Sequence, residues 1–264
     1  MKKFFCLLLV MALFASCKND GGSSNPAEDP STPAEDPSAP DSLEFNVDGV
    51  SFKMIKVEGG TFQMGEEGVA TPVHSVTLSD YYIGETEVTC ALWQAVMDTC
   101  PCEVYGDDLP VNEVSWYNCQ EFIGKLNQKT GRRFALPTEA QWEFAARGGN
   151  KSRGYEYSGG NNIDDVAWYW FNVSSMTQPV GTKLANELGL YDMSGNVCEW
   201  CADWYDDYSS SSQTDPTGPK TGSSRVNRGG GWFDLDGSCR STNRDYDAPD
   251  SHFFDLGLRL VLLF

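Results

Sequence analysis

The sequence is poor in histidine and in positive charge. Its 264 residues include two histidines, His74 and His252, and 19 Lys and Arg against 38 Asp and Glu, which gives a formal net charge of −19. Two histidines exclude a histidine-rich metal site and leave few candidate bases for a Ser-His-Asp or Cys-His mechanism. An acidic surface repels the phosphates of nucleic acids and anionic lipids, so we expect neither as a partner. Hydrophobic residues make up 40% of the chain and aromatic residues 12%, which is enough for a packed core.

The N-terminus has the pattern of an export signal. Met1-Lys2-Lys3 precedes an apolar run from Phe4 to Ala15 that is too short to span a bilayer as a helix. We therefore predict a signal peptide over residues 1–16. The string Phe14-Ala-Ser-Cys17 resembles a bacterial lipobox with Phe in place of the usual Leu, which predicts that Cys17 carries the lipid. The alternative is an ordinary signal peptide that is cut near Cys17.

Residues 17–42 have the composition of a spacer. They contain the direct repeat Pro26-Ala-Glu-Asp-Pro-Ser-Thr and Pro33-Ala-Glu-Asp-Pro-Ser-Ala, without any aromatic residue. Proline fixes φ and the carboxylates repel one another, so we predict an extended linker. Residues 43–264 contain no second break of this kind, which favours one folded domain. An exported domain on a lipid anchor would lie at the outer membrane or cell surface and touch the membrane only through its lipid.

The domain is predicted to be α+β, with two to three helices and short antiparallel strands. Short β-branched or alternating segments bounded by Gly predict strands at Phe52–Val57, Gly60–Gly65, His74–Leu78 and Tyr81–Gly84. Capping residues Thr89, Ser115 and Thr138 predict helices over Cys90–Met97, over Trp116–Gln128 and from Glu139 onward. Beyond Gly148 the chain is rich in Gly, Asn, Asp and Ser and lacks periodicity. This half is predicted to be loop-rich and to need bound ions or disulfides for order.

Seven short segments, spread over both halves of the domain, resemble the sequence motifs of a known family. They are Phe62–Gly65, Glu85–Thr89, Pro110–Trp116, Leu136–Gly149, Asn186–Trp200, Arg225–Gly230 and Leu256–Leu260. In this order they resemble the formylglycine-generating-enzyme, or sulfatase-modifying-factor, domain family. The resemblance covers nearly all of residues 43–264 and implies a C-type lectin-like fold.

The family's founding activity oxidises a sulfatase cysteine to formylglycine, using copper held by two thiolates. Cys239 stands at the first thiol position, but the position five residues further on is Arg244. Because Cu(I) needs both sulfurs, we expect no copper and no such catalysis. Similar non-catalytic members imply instead a disulfide between Cys201 and Cys239. For the other sulfurs, Cys90 with Cys119 is one possible pair, and seven cysteines beyond Cys6 and Cys17 leave one without a partner.

A second implication of the resemblance is a structural calcium site. In Leu190-Tyr-Asp192-Met-Ser-Gly195-Asn-Val197-Cys-Glu199, the family's pattern assigns side-chain oxygens to Asp192 and Glu199 and backbone carbonyls to Gly195 and Val197. Converging oxygens are what Ca²⁺ requires. The alternative is a turn whose acidic groups are solvated or bonded to local amides. A second calcium site at Asp165 and Val166 stays open, since no acidic partner downstream is evident.

The segment 233–258 resembles the variable region of proteins that a retroelement diversifies, as in variable lipoproteins of spirochaetes. Randomising the adenines of Asn codons cannot produce Lys, Glu, Gln, Met or Trp, and the segment contains none of these. Its aromatic residues could act as anchors and its Asp, Ser and His residues as hydrogen-bonding groups, as in binding hot spots. The predicted ligand-binding residues are Phe233, Asp234, Leu235, Asp236, Ser238, Asp245, Tyr246, Asp247, Ser251, His252, Phe253, Phe254 and Asp255. Trp232 and Leu260 are assigned to the core, and the alternative is that some of the aromatics also fill it.

The sequence therefore predicts a monomeric, non-catalytic surface lipoprotein of receptor or adhesin type. It would bind an extracellular ligand, a protein by expectation, through a diversified C-terminal face. Two other functions remain open at this point: a copper-dependent formylglycine-generating oxidoreductase and a structural envelope lipoprotein without a specific ligand.

Overall fold

A computed structural model of the protein describes residues 39–264 with the exception of Ser175. The predicted signal peptide, the lipidated Cys17 and nearly all of the linker lie outside the described residues, so these assignments and their boundaries stay predictions. Pro40–Phe264 forms one compact unit. Within the described residues, no helix has the length and apolar character required to cross a membrane.

The strands and helices are short and alternate irregularly along the chain. The strands are β1 (Ser42–Val47), β2 (Val50–Val57), β3 (Gly60–Glu66), β4 (Ala70–Leu78), β5 (Tyr81–Gly84), β6 (Phe134–Ala135), β7 (Cys198–Trp204), β8 (Gln213–Thr214), β9 (Arg225–Arg228), β10 (Asp245–Asp247), β11 (Leu256–Gly257) and β12 (Val261–Leu262). The helices are α1 (Cys90–Met97), α2 (Trp116–Thr130), α3 (Glu139–Ala146) and α4 (Ile163–Val166), with 3₁₀ turns at Gly149–Lys151 and Asp236–Cys239. The α+β prediction is confirmed.

The capping residues act as the sequence predicts. The side chains of Thr89, Ser115 and Thr138 accept hydrogen bonds from the first turns of α1, α2 and α3. Ser115 and Thr138 do so in capping boxes, which satisfy amide groups that the helix itself leaves free. Helix α2 continues two residues past its predicted end and stops at Gly131, whose φ of 67° is left-handed.

The largest sheet joins the two ends of the domain. Its strand order is β1-β2-β5-β12-β6, and the C-terminal strand β12 pairs antiparallel with both β5 and β6. Helices α1 and α2 pack beside this sheet, and the rings of Trp93 and Phe122 stack between them at 4.8 Å. The strand β1, which the sequence did not predict, forms the edge of the sheet by pairing with β2.

Two smaller sheets complete the fold. They have the orders β3-β4-β8 and β10-β9-β7-β11. The pairs β4–β8 and β7–β11 are parallel, whereas only antiparallel strands were expected. Each of these pairs joins strands that lie far apart in the chain, where no hairpin dictates an antiparallel arrangement.

The loop-rich second half is not held by disulfides, contrary to expectation. All seven cysteines of the described residues are free. Cys201 lies in a hydrophobic cluster with Trp142, while Cys239 lies in a separate cluster with Tyr157. Because each sulfur is enclosed by its own cluster, the predicted disulfide between Cys201 and Cys239 is not formed.

Candidate functional site

Three aromatic side chains form a patch on the surface of the second half. We call Trp170, Phe233 and Phe254 the aromatic patch; they are 47%, 48% and 41% exposed. The Phe233 ring meets Trp170 edge-on at 4.7 Å and Phe254 at 5.1 Å. Beneath them lies Trp232, only 9% exposed, with its ring 5.4 Å from Phe233 and 5.2 Å from Phe254. The patch is therefore a contiguous apolar surface supported by a buried ring.

Backbone hydrogen bonds fix the loops that carry the patch. The Trp170 amide donates to the Asp234 carbonyl over 3.0 Å, and the Asp234 carboxylate accepts from the Gly231 amide over 2.9 Å. On the other side, the Asn112 side chain donates to the Phe254 carbonyl over 2.6 Å. Three separate segments of the chain thus hold the rings in place without a regular secondary structure.

Two carboxylates lie next to the patch. Burial, followed by the charge of the nearby Asp234 carboxylate, raises the pKa of Asp255 to about 6. Gly231 permits this close packing, since a Cβ atom there would lie 2.7 Å from the Asp255 Cβ. Two carboxyl groups beside exposed aromatic rings form a surface suited to a cationic group.

A second group of predicted residues lies on the edge strand β10. Tyr246 is 49% exposed, and its ring lies 4.0 Å from that of Tyr205. Asp247 accepts a hydrogen bond from the Asn227 side chain over 3.0 Å, and Asp245 is exposed beside it.

None of the predicted ligand-binding residues is buried. Phe233, Leu235, Asp236, Asp245, Tyr246, His252, Phe253 and Phe254 are exposed, and Asp234, Ser238, Asp247, Ser251 and Asp255 are partly exposed. Trp232 and Leu260 are buried, as the assignment of these two residues to the core requires. The aromatics of the segment therefore do not fill the core.

Sequence reasoning missed two contributors to this surface. Trp170 belongs to the aromatic run Trp168-Tyr-Trp-Phe171, and Asn112 belongs to the family string Pro110–Trp116. An aromatic run inside a polar, aperiodic stretch was a usable signal for Trp170. No local signal pointed to Asn112, because its contact with Phe254 spans 142 residues.

In the predicted calcium loop, Glu199 is already fully engaged. It is 0% exposed, and its two oxygens accept hydrogen bonds from Arg259 at 2.7 to 3.0 Å and from the Trp142 indole at 2.6 Å. Glu199 therefore does not fit the role of a calcium ligand in this arrangement. The structure instead makes it the partner of a buried arginine.

Asp192 fits a cation better than Glu199 does. One of its oxygens accepts from the Gly181 amide over 2.6 Å, while the other is buried and has no hydrogen-bond partner. Burial raises the pKa of Asp192 to about 6. Glu87 lies close enough to contribute to the local field, and both of its buried oxygens also lack a partner. Gly195 and Val197 follow in the same buried loop.

The position expected for a second copper-binding thiol holds an ion pair. Arg244 binds Glu139 through two nitrogens at 2.5 and 2.8 Å, and its guanidinium lies 3.7 Å from the centre of the Tyr208 ring. Cys239 is fully buried, and burial raises the pKa of its thiol, which favours the neutral form. The arrangement around Cys239 and Arg244 is that of a packed interior with a salt bridge.

A cavity of about 540 Å³ lies beside this ion pair and not at the aromatic patch. Its lining includes His74, Glu139, Asp203, Tyr208 and Arg244. Burial, followed by the charge of Glu139, raises the pKa of Asp203 to about 7. The cavity thus contains a carboxyl group that titrates near neutral pH.

Comparisons with known proteins agree with this architecture. Residues 45–263 match the family described as sulfatase-modifying factor enzyme 1-like domain. The chain is 35% identical to the chaperone protein LppX of Paenibacillus barcinonensis, over 69% of this chain and 79% of that protein. It is 30% identical to the formylglycine-generating enzyme of Streptomyces coelicolor, over 78% of this chain and 87% of the enzyme. The solved structure of Treponema denticola variable protein 1 matches with a TM-score of 0.81 and 33% identity, covering 85% of this chain and 99% of that one.

The fold prediction is confirmed by these matches. The α+β domain has the C-type lectin-like fold of the formylglycine-generating-enzyme type, and it resembles both catalytic and variable proteins of that fold. Because the family match extends over most of the sequence, the chain belongs to the family of sulfatase-modifying factor enzyme 1-like domains.

Proposed function

We propose that this protein is an exported, lipid-anchored receptor that binds a protein ligand through the aromatic patch and the residues around it, without catalysing oxidation. The observation that carries the proposal is the patch itself. Phe233, Phe254 and Trp170 remain exposed although Phe233 contacts the other two rings and both phenylalanines contact the buried Trp232. A contiguous apolar surface of this kind marks an interaction site more often than an isolated exposed side chain does.

The rigidity of the patch supports binding. Its loops are held by the hydrogen bonds of Asp234 and Asn112, so little conformational entropy remains to be lost when a ligand binds. Aromatic rings supply large contact areas with few rotatable bonds, and they dominate many binding hot spots.

The charge around the patch indicates the chemistry of the ligand. Asp234 and Asp255 lie next to the rings, and Asp236, Asp245 and Asp247 follow in the same segment. A ligand with exposed Lys or Arg side chains could place a cation over a ring and pair it with a carboxylate. We therefore expect a basic protein surface as the partner and no nucleic acid, since phosphates would be repelled.

The scaffold is compatible with variation in the segment 233–258. Its outward side chains carry the predicted contacts, while Cys239, Leu256 and Leu258 point into the core. Substitution of the outward residues would change the ligand without disturbing the packed interior. The 33% identity to a variable protein of Treponema denticola supports the same interpretation.

The anchor and the calcium site complete the proposal. The leader and Cys17 would fix the domain to the outer membrane or cell surface as a monomer, with residues 17–42 as the spacer. Calcium would bind at Asp192 with the carbonyls of Gly195 and Val197 and would stabilise the loop, while Glu199 stays with Arg259.

The test of ligand binding uses a random peptide library. The immobilised protein should select peptides rich in Lys, Arg and aromatic residues, and the double substitution Phe233→Ser, Phe254→Ser should abolish the enrichment. Phe264→Ser is the matched control, because Phe264 is 68% exposed and its ring packs against Tyr82 of the largest sheet. Enrichment that survives the double substitution, or that the control removes equally, would overturn the proposal.

A second candidate function is supported by the similarity to the formylglycine-generating enzyme of Streptomyces coelicolor. Its test is Cu(I) titration of the reduced protein, compared with Cys239→Ser and with Cys198→Ser as the control. Stoichiometric copper binding that requires Cys239, together with oxidation of a sulfatase-type cysteine peptide, would establish the enzyme and refute the receptor proposal. We expect Cys239→Ser to leave copper binding unchanged, because the position of the second thiol is occupied by Arg244.

The remaining alternative is a structural envelope lipoprotein without a ligand. Sequencing the gene from related isolates tests it. Sequences from related isolates should differ mainly at the outward residues of 233–258. Uniform sequences across this segment, or substitutions spread evenly over the chain, would remove the case for a diversified receptor.

A further inference from the structure

Three cysteine sulfurs that have no role in the sites described above lie together at the start of α1. The Sγ atom of Cys102 lies 3.2 Å from that of Cys90 and 3.0 Å from that of Cys100. All three sulfurs lie within 4.8 Å of one another. The sequence suggested Cys119 as a possible partner of Cys90, but in the structure the sulfur of Cys90 meets that of Cys102.

The local chain path explains the cluster. Helix α1 is followed by its C-cap residue Asp98. The left-handed φ of 66° at Asp98 turns the chain back toward the start of the helix. The returning loop is then fixed to that start, where the Cys90 amide donates to the Leu109 carbonyl over 2.8 Å. Cys100 and Cys102 are carried by this loop over the first residue of the helix.

The separations favour sulfur–sulfur bonding over metal binding. Thiolates around one Zn²⁺ lie about 2.3 Å from the ion, which places the sulfurs about 3.8 Å apart in a tetrahedral site. The observed 3.0 and 3.2 Å are shorter, so an ion would have to push the loop outward. A disulfide of about 2.05 Å requires a movement of only about 1 Å inward.

We propose that Cys90, Cys100 and Cys102 form a thiol–disulfide exchange site in which Cys102 is the shared sulfur. In the oxidised protein Cys102 is bonded to Cys90 or to Cys100, and the third cysteine is a thiol. Exposure divides the roles: Cys90 is completely buried, whereas Cys100 and Cys102 are partly exposed. The exchange reaction requires no ligand at the aromatic patch, although the Asn112 amide, which donates to the Cys102 sulfur over 3.5 Å, belongs to the residue that holds Phe254.

The oxidant is a low-molecular-weight disulfide. The Cys100 thiolate attacks one sulfur of this disulfide, forms a mixed disulfide and releases the first small thiol. The Cys102 thiolate then attacks the Cys100 sulfur and releases the second, so two cysteine thiols are oxidised and one disulfide is reduced to two thiols. Attack of the Cys90 thiolate on Cys102 next forms the bond Cys90–Cys102 and frees Cys100, without net oxidation.

The surroundings fit these roles. Contact with the Cys102 sulfur lowers the pKa of the Cys100 thiol, and contact with Cys100 raises that of Cys90, together with burial. The exposed carboxylates of Glu103, Asp107 and Asp108 lie in the same loop. They attract a cationic disulfide such as cystamine and repel an anionic one such as glutathione disulfide.

The experiment oxidises the reduced protein with cystamine, quenches with acid, denatures and alkylates the remaining thiols for mass spectrometry. We expect the loss of two thiols per chain, with Cys90 alkylated in some molecules and Cys100 in others. Cys102→Ser should slow disulfide formation about tenfold or more, while Cys100→Ser and Cys90→Ser each still form one disulfide to Cys102. Cys119→Ser, a buried cysteine on α2, is the control and should change nothing.

Three outcomes would overturn the exchange site. The first is that all three thiols remain alkylatable after cystamine treatment. The second is a single fixed disulfide with the same third cysteine always free. The third is a zinc or copper ion found by elemental analysis of the purified protein and lost in Cys102→Ser, which would assign the cluster to metal binding.

Discussion

The two halves of the domain are held together in different ways. Up to Ala146, amphipathic helices and strands bury an apolar core in which Trp93, Phe122 and Leu126 are almost completely enclosed. After Gly148, long loops surround the short strands β7 to β12, and the interior contains the fully charged side chains Arg228 and Arg259. The first half resists unfolding mainly through buried apolar area, whereas the second depends on satisfied polar contacts.

Arg259 shows what this difference means. Its guanidinium donates to Glu199, to the Gly84 carbonyl over 2.9 Å and to the Tyr191 carbonyl over 2.7 Å. One buried side chain thereby joins the sheet of the first half to the loops of the second. Loops that cannot form ladders or amphipathic helices can still be ordered if each buried polar group has a partner.

The largest expected effect is the removal of this link. Arg259→Met should lower the free energy of unfolding by about 3–5 kcal/mol, because it leaves Glu199 buried as an unpaired charge near Asp192 and Glu87. Urea unfolding followed by tryptophan fluorescence measures the loss. Lys129→Met is the control, since its ion pair with Asp48 is exposed and is expected to contribute less than about 1 kcal/mol. Equal effects of the two substitutions would contradict the importance of buried pairs in the second half.

The next effect concerns the apolar half. Leu126→Ala should cost about 2–5 kcal/mol, because Leu126 is 0% exposed on α2 and its truncation leaves a cavity in the core. The matched control is Leu184→Ala, at a leucine that is 63% exposed in a loop of the second half. The same urea titration should show a change within about 0.5 kcal/mol for this control. A large cost at Leu184 would mean that the loops bury more apolar area than their exposure indicates.

The pH dependence of stability should separate the halves further. Burial raises the pKa of Asp203 to about 7 and that of Asp192 to about 6. The folded protein keeps these protons where the unfolded chain has released them, so stability falls as the pH rises from about 4 to 7. We expect Tm to be about 3 °C or more higher at pH 5.5 than at pH 7.5.

The substitutions Asp203→Asn and Asp192→Asn should each flatten this dependence, as calorimetry can show. Glu66 acts in the opposite direction, because its hydrogen bonds from Thr242 and Arg240 outweigh the effect of burial and lower its pKa. Its contribution to stability changes at lower pH than the contributions of Asp203 and Asp192 do. A Tm that rises toward pH 7.5 would show that these carboxyl groups are charged in the folded state.

The smallest effect is stabilisation by calcium. At a free Ca²⁺ concentration ten times the dissociation constant, ligand binding should stabilise the protein by about 1.4 kcal/mol. Asp192→Asn should abolish the increase in Tm, whereas Asp165→Asn tests the second site that the sequence left open. An increase that survives Asp192→Asn would place the ion elsewhere, and no increase would leave Asp192 as a protonated buried carboxyl group.

The sequence predicted most of the first half because the signals there are local. Thr89, Ser115 and Thr138 start their helices as expected, and the four predicted strands are present, three with wider bounds and one, Tyr81–Gly84, with the predicted bounds. Each of these features depends on neighbours a few residues away. The edge strand β1 was missed, although Leu43, Phe45 and Val47 alternate there with polar residues.

The partners in the second half could not be derived in the same way. The aromatic residues of 233–258 were expected at the surface, and they lie there, but the contribution of Trp170 and Asn112 was not foreseen. Acidic residues at 192 and 199 suggested one calcium set, yet Arg259 takes Glu199. A carboxylate in a sequence looks the same whether its partner is a cation, an arginine or water.

By itself, the sequence determined the family, the α+β class, the helix starts and the outward character of residues 233–258. Periodicity, capping and ordered motifs are carried by residues close together in the chain, and they do not depend on how distant segments meet. Only the tertiary structure decided that Arg259 pairs with Glu199, that Phe233 joins Trp170 and Phe254, and that three cysteines meet at the start of α1. These contacts arise when distant segments are packed together, and many alternative pairings would satisfy the same local chemistry.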